Sequence, residues 1–317
     1  MKNTMLAVVL DAPGPVEALQ IRELPVPAER DGWARIRVEA FGINRSELHT
    51  RIGLAEGVTF PRVLGIECVG IVDSAPGTEF RAGQKVVAMM GGMGRTFDGG
   101  YAQYTLVPAS QVIPVDTDLA WEELGALPEM LQTSYGSLVV GLDIQPGQSL
   151  LIRGGTSSIG LATAALAKHM GAVVLSTTRK PERLDFLHRM GVDHPILDDG
   201  PIATTVRSIF ADGVDAALEL VGVPTLPDTL DATRIHGTVC FTGMLSNQWI
   251  VEKFYPNAYI PNGVRLTAYG GDSSNLPPEV LQQFVNDISS GRLTIPTHTY
   301  SFDQIRQAHA DMENNLR

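Results

Sequence analysis

The run Leu150-Leu151-Ile152-Arg153-Gly154-Gly155-Thr156-Ser157-Ser158-Ile159-Gly160 leads from an apolar segment, through a Gly/Ser turn, into a stretch that reads as a helix to about Met170. Strand, glycine turn and helix in that order are the context a dinucleotide fingerprint needs. The physical demand is close approach. A pyrophosphate has to lie on backbone N–H groups at a helix N-terminus, where the aligned dipoles favour negative charge. A large Cβ substituent would hold it away. Gly155 and Gly160 take the first and third glycine positions. Ser157 takes the second, and its small side chain carries a hydroxyl able to donate to a phosphate oxygen. Thr156, Ser158 and Ile159 complete the candidate cofactor-binding turn. The alternative is a glycine-rich turn that binds nothing; the flanking strand and helix favour the cofactor.

Outward from this turn, strand and helix alternate. Val173–Thr177 reads as a second strand and Pro181–Met190 as a helix. Asp215–Leu220, Thr238–Thr242 and Leu266–Tyr269 are further strand candidates. Such spacing implies an α/β unit with a parallel sheet built from βαβ repeats. Upstream, Leu6–Leu10, Ala34–Ala40, Cys68–Val72, Lys85–Met89 and Tyr104–Val107 are short β-type runs broken by Gly and Pro, which suggests a barrel or sandwich. Trp121–Leu127 and Leu131–Val140 read as helices, as do Pro277–Gly291 and Phe302–Asn314.

The end of the second strand discriminates between nicotinamide cofactors. NAD-selective sites place Asp or Glu there for the ribose 2′-OH. This chain has Ser176-Thr177-Thr178-Arg179-Lys180-Pro181-Glu182-Arg183 instead. Thr178, Arg179, Lys180 and Arg183 suit a 2′-phosphate, onto which Arg179 can fork. A solvated basic helix start is the plainer reading. Cations at a helix N-terminus oppose its dipole, however, and a phosphate would compensate. NADPH is therefore the expected cofactor.

The chain has 317 residues, which suggests two domains. A net charge of −11 and the lack of a basic stripe argue against nucleic acid and against polybasic membrane binding. Hydrophobic residues at 44% and charged residues at 19% exclude intrinsic disorder. Two cysteines, Cys68 and Cys240, rule out a disulfide scaffold and a four-cysteine zinc site, and read as small buried hydrophobes. No apolar run reaches the ~20 residues of a membrane span. The N-terminus reads as a first strand rather than a signal peptide, so a cytoplasmic protein is expected.

Further motifs carry a resemblance: Phe41-Gly42-Ile43-Asn44-Arg45-Ser46-Glu47-Leu48, Pro61–Gly70, Asp98–Tyr104, Val107-Pro108-Ala109, Thr133-Ser134-Tyr135, Gly154–Gly160, Gly213-Val214-Asp215, Glu219–Gly222 and Gly237–Gly243. In this order they resemble the zinc-free quinone oxidoreductase, ζ-crystallin-like branch of the medium-chain dehydrogenase/reductase superfamily, over nearly the whole chain. The resemblance implies a Rossmann doubly wound parallel sheet plus a GroES-like β-barrel catalytic domain. The expected domains are 1–123 (GroES-like), 124–264 (Rossmann) and 265–317, a segment returning to the catalytic domain. Relatives continue past Glu313-Asn314-Asn315 into a Gly-Lys-type turn and a final strand, whereas the sequence here ends at Arg317.

Zinc relatives carry Cys where this chain has Asn44 and His where it has Ile66. No three-ligand catalytic zinc is expected, since Asn is a weak ligand and Ile none. Without a Lewis acid, alcohol oxidation is hard. A quinone, or an alkene conjugated to a carbonyl, accepts hydride at carbon, and hydrogen bonds or water can meet the charge developing on oxygen. By resemblance Asn44 lies at the nicotinamide and substrate cleft and Thr133 beside the nicotinamide. Val221 and Gly222 match the strand end over the adenosine side, and Gly243 and Met244 the loop near the nicotinamide. Plainer readings remain: a turn-capping Asn, an ordinary helix Thr, simple turns. His49 is a candidate proton donor or a cleft wall. Tyr255 and Tyr259 line either the cleft mouth or an interface. Glu67 reads as structural, satisfied by local hydrogen bonds. Loops around 48–60, 91–97 and 245–262 shape the cleft and so the substrate. The expected partners are a small quinone or enone and a second copy joined through the Rossmann sheet edge at 240–270. Competing readings are an enoyl-thioester reductase and a non-catalytic NADPH-binding sensor or structural protein.

Overall fold

The computed structural model describes residues 3–314; the expectation about the chain end past Asn314 lies outside them. The chain divides into two compact units: Met1–Glu129 with Asp272–Arg292 and Pro296–Arg317, and Met130–Gly271 with Leu293–Ile295.

The first unit is built on two antiparallel sheets. β1 (Thr4–Leu10) lies between β2 (Leu19–Pro25) and β4 (Arg62–Val63). The larger sheet contains β3 (Trp33–Ala40), β5 (Glu67–Ser74), β6 (Lys85–Met89), β7 (Tyr104–Pro108) and β8 (Val112–Pro114), in the order β7-β3-β5-β6-β8. The two sheets are linked by an antiparallel bridge between Ala7 and Ala102. The larger sheet turns its alternate residues, Ala34, Ile36, Cys68, Val72, Val86, Ala88 and Val107, into one apolar cluster. That period-2 burial is what the sequence alternation requires. Helices α1 (Arg45–Arg51) and α2 (Trp121–Leu124) belong here, and α3 (Pro128–Gly136) begins here. α3 continues without a break into a π-helical turn at Ser137–Gly141, so the helix expected over Leu131–Val140 is present, α to Gly136 and π beyond it.

The second unit is a six-stranded, all-parallel sheet. Its strands are β9 (Ser149–Arg153), β10 (Val173–Thr178), β11 (His194–Leu197), β12 (Val214–Glu219), β13 (Thr233–Phe241) and β14 (Arg265–Ala268). Their spatial order, β11-β10-β9-β12-β13-β14, is the 3-2-1-4-5-6 order of the Rossmann fold. The connecting helices are α4 (Ser158–His169), α5 (Leu184–Arg189), α6 (Ala203–Ile209) and α7 (Leu226–Asp231), with α8 (Pro256–Tyr259) before β14. Both faces of the central strands are covered, so β9 is buried at all five residues. β14 pairs with β13. It therefore keeps residues 265–271 in this unit rather than in the returning segment. That segment supplies α9 (Pro278–Ser289) and α10 (Ile305–Glu313) to the first unit. Among the described residues no helix is long and apolar enough to cross a membrane.

Candidate functional site

In the second unit the register aligns the carboxyl ends of the central strands. Ile152 pairs with Ser176, Arg153 with Glu219, and Glu219 with Phe241. The segments read as cofactor-binding thus converge on one edge: 155–160 after β9, 178–183 at and after β10, 221–222 after β12 and 243–244 after β13. Ligands of open parallel sheets bind at this edge.

The glycines are there because nothing larger fits. A Cβ on Gly155 would stand 1.7 Å from Ser176 Oγ, and one on Gly160 would stand 2.7 Å from Gly154 O. Ser157 plays a different part from the one expected. It is the N-cap of α4: its hydroxyl donates to Gly154 O at 2.8 Å and accepts from Gly160 N at 3.1 Å. Its proton is used inside the turn and not aimed at a phosphate. The reason is geometric, since an N-cap oxygen sits beneath the N3 amide. Ser158 and Ile159, the next two helix positions, keep N–H groups that have no intrahelical acceptor. Gly155 N donates to Thr177 O, and Gly154 N donates to Thr177 Oγ1, both at 3.0 Å. The turn is therefore anchored to β10, and Ser176 Oγ lies buried beside it with no hydrogen-bond partner among the described residues.

Thr178 is buried, and its hydroxyl accepts from Lys180 N at 3.2 Å, shaping the strand exit. Arg179, Lys180 and Arg183 are exposed there and make no ion pair among the described residues. On the other side of β9, Glu219 is fully buried. Its carboxylate accepts from Val221 N, Gly222 N, Thr225 Oγ1 and Thr229 Oγ1 at 2.6–3.0 Å. Its backbone carbonyl accepts from Gly243 N at 3.0 Å. One residue thus holds both the Val221-Gly222 and Gly243-Met244 segments. A Cβ on Gly243 would stand 2.5 Å from Leu220 O, which fixes that glycine too.

Thr133 is buried on α3, with Oγ1 3.5 Å from Gln132 Oε1. Gln132 Nε2 donates to the Tyr269 hydroxyl. Tyr255 is 64% exposed, whereas Tyr259 is half-buried and packs edge-on against Phe254, centroids 5.2 Å apart. Both cysteines are buried and unpaired.

In the first unit, Asn44 is the N-cap of α1, its backbone amide donating to Glu47. His49 lies five residues on and is buried; helix neighbours three and four apart share a face, so the spacing does not set it beside Asn44. Glu47 and Glu67 are each 1% exposed. Glu47 accepts from Ile66 N at 2.7 Å and from Asn44 N at 3.0 Å. Glu67 accepts from Asn44 Nδ2 and from Glu129 N, both at 2.7 Å. Glu67's partners lie 23 and 62 residues away, so its satisfaction is long-range and not local, as its sequence position had suggested. Sequence patterning missed this cluster, because no local signal marks a carboxyl that tertiary structure buries.

Burial, then the neighbouring Glu129, pushes the Glu67 carboxyl up to about 8, against hydrogen bonds that pull it down. Burial pushes Glu47 up to about 7. Crowded buried carboxyls cannot all ionise at ordinary cost. For an acid whose folded pKa is raised, stability is full below the unfolded value of 4.5. It falls as pH rises, because the unfolded chain releases the proton first, and levels off near pH 8. The denaturation midpoint of the wild type should therefore drop from pH 5 to pH 8 by more than that of Glu67→Gln. Equal drops would contradict the raised carboxyl.

Among the described residues no three His, Cys, Asp or Glu side chains are grouped to hold a metal. At the two positions that the sequence resemblance matches to zinc ligands, the Asn44 side chain donates to Glu67 and the Ile66 amide donates to Glu47.

Comparison with known proteins gives two family matches: the alcohol dehydrogenase GroES-like domain at residues 30–117 and the zinc-binding dehydrogenase at residues 158–286. A 2-haloacrylate reductase of Burkholderia sp. is 28% identical over 76% of this chain and 74% of its own. Squalestatin tetraketide synthase of a Phoma species is 24% identical over 98% of this chain, which spans only 12% of that protein's length. A mycobacterial structure complexed with NADPH superposes with a TM-score of 0.84 at 25% identity, covering 98% of this chain and 96% of the other. Quinone oxidoreductase of Escherichia coli, also solved with NADPH, shares the fold at a TM-score of 0.85 and 20% identity, over 98% and 97%.

Proposed function

The chain belongs to the medium-chain dehydrogenase/reductase superfamily, and from that premise we propose that it is a zinc-independent, NADPH-dependent reductase of a quinone or an α,β-unsaturated carbonyl. The observation that carries the cofactor half is the carboxyl edge of the parallel sheet. There a glycine turn with two orphan helix amides lies beside three unpaired cations and no acid at the end of β10. Ser176 Oγ, buried and unpartnered, is a further polar group for the cofactor to meet. The mycobacterial relative solved with NADPH supports the same reading.

The amides of Ser158 and Ile159 hold the pyrophosphate, and Thr156 borders it. Arg179, with Lys180 and Arg183, holds the 2′-phosphate. Val221, Gly222, Gly243 and Met244, fixed by Glu219, support the rest of the dinucleotide. The nicotinamide, when bound, supplies a hydride. By the resemblance, Thr133 would position the nicotinamide, and the Asn44 amide would meet negative charge developing on the substrate oxygen. Asn44 and Ile66 leave zinc no ligand set, so the substrate is an acceptor that is already electrophilic. His49 delivers a proton or walls the cleft; solvent is the other proton source. The 2-haloacrylate reductase among the relatives acts, by its name, on a conjugated alkene, which favours this substrate class. We place the enzyme in the cytoplasm, in keeping with two unpaired buried thiols. We further propose a homodimer through the exposed edge of β14, where an uncovered strand would otherwise present unpaired backbone groups.

Loss of absorbance at 340 nm tests this, with NADPH or NADH against 9,10-phenanthrenequinone, 1,4-benzoquinone, an alkenal and crotonyl-CoA. NADPH-selective turnover of a quinone or the alkenal is expected. Turnover of crotonyl-CoA alone would make the chain an enoyl-thioester reductase. Tight NADPH binding with no turnover would make it a sensor or structural protein.

A further inference from the structure

We propose that Glu67 is a positioning residue for the reaction: it fixes the plane of the Asn44 amide so that a single N–H is left pointing to the substrate oxygen. This rests on the reading above that Asn44 lies at the reacting end. Asn44 has one side-chain acceptor and two donors. At the cap, the Glu47 amide donates to the Asn44 backbone carbonyl at 3.1 Å and leaves the Asn44 side chain to other partners. Glu67 Oε1 takes one Nδ2 hydrogen at 2.7 Å. One donor remains. Left alone, the terminal torsion of an Asn is broad and two-fold, so the amide would sample both orientations.

Glu67 is itself held from the far side. Its Oε2 accepts from Glu129 N at 2.7 Å, so the carboxyl bridges the α1 cap and the start of α3. Gly42 gives it room: a Cβ there would stand 2.0 Å from Glu67 Oε1 and 3.2 Å from Gly125 O. Glu47 holds the backbone at Asn44 and Ile66 on the other flank. Three stretches distant in sequence thus converge to orient one amide. In the zinc relatives this corner carries metal ligands; here a carboxyl does the orienting.

The test is a double-mutant cycle of Asn44→Ala and Glu67→Gln, run above the raised Glu67 value of about 8 so that both carboxylate oxygens accept, with NADPH affinity measured separately. The amide that Glu67→Gln introduces would set an N–H against either Asn44 Nδ2 or Glu129 N, so one of the two bonds is lost with almost no change in shape. Each single variant should lose at least about tenfold in kcat, in line with removal or misplacement of one oxyanion donor. NADPH affinity should stay within about twofold, and the double variant should be no slower than the slower single one. Losses that multiply, or full kcat in Glu67→Gln, would overturn the proposal. A second readout needs no turnover. In the apoprotein the two Asn44 side-chain amide protons should show well-separated NMR shifts, which draw together in Glu67→Gln; unchanged shifts would overturn the positioning role. If Asn44→Ala keeps full kcat while the shifts respond as expected, it is the placing of Asn44 at the reacting end that fails. Should Glu67→Gln not fold, Gly42→Ala crowds Oε1 without removing a group and serves in the same cycle.

Discussion

Arg153→Ala is expected to remove about 3–5 kcal/mol of folding stability, the scale for breaking a buried ion pair from one side. Arg153 ends β9 immediately before the glycine turn and is 2% exposed. Its guanidinium forks onto Asp198 at 2.6 and 2.8 Å and reaches Asp228 at 2.6 Å. Asp228 also caps the start of α6, accepting from Ile202 N at 2.8 Å and Ala203 N at 3.1 Å. Alanine would leave two carboxylates without their cation. At ~2–4 °C per kcal/mol for a chain of this size, Tm should fall by roughly 10 °C. Adding Asp198→Asn and Asp228→Asn should recover part of the loss, because the uncompensated charge then disappears. NADPH affinity should fall as well, since Asp198 accepts from Thr177 Oγ1, which in turn holds Gly154 N. A Tm within about 1–2 °C of wild type would show that the triad contributes little net stability.

The second large effect is on cofactor choice. The double variant Arg179→Ala/Lys180→Ala should weaken NADPH binding by roughly 10- to 100-fold and leave NADH unchanged. A hydrogen bond to a charged group contributes ~1.5–3 kcal/mol, and about 1.4 kcal/mol is tenfold in affinity. Both side chains are exposed with no competing ion pair, so removing them disturbs no fold contact. The loss should shrink as salt rises, because exposed charges are screened. Equal losses for NADPH and NADH would mean that these cations do not face the 2′-phosphate.

Much of the parallel unit was legible because each strand and helix there follows its local pattern. The apolar run of β9 is buried throughout, and the glycines that open α4 are sterically required. Elements set by tertiary context were not legible. In β2 only Leu19 is buried, so its alternation is lost. β11 is four residues long and contains Pro195. α6 is capped by Asp228 from 25 residues away, not by a neighbour. The site divides in the same way. The glycine turn and the cations after β10 announce themselves by residue type. The Asn44–Glu67 pair, the four bonds to the Glu219 carboxylate and the Arg153 triad depend on burial that no local pattern encodes.

Selectivity for NADPH at the carboxyl edge of the parallel sheet is tested most directly by calorimetric titration of the wild-type protein with NADPH and with NADH, at one fixed salt concentration. Both nucleotides should bind, NADPH at least about tenfold more tightly. Equal affinities, or no heat with either nucleotide, would contradict that selectivity.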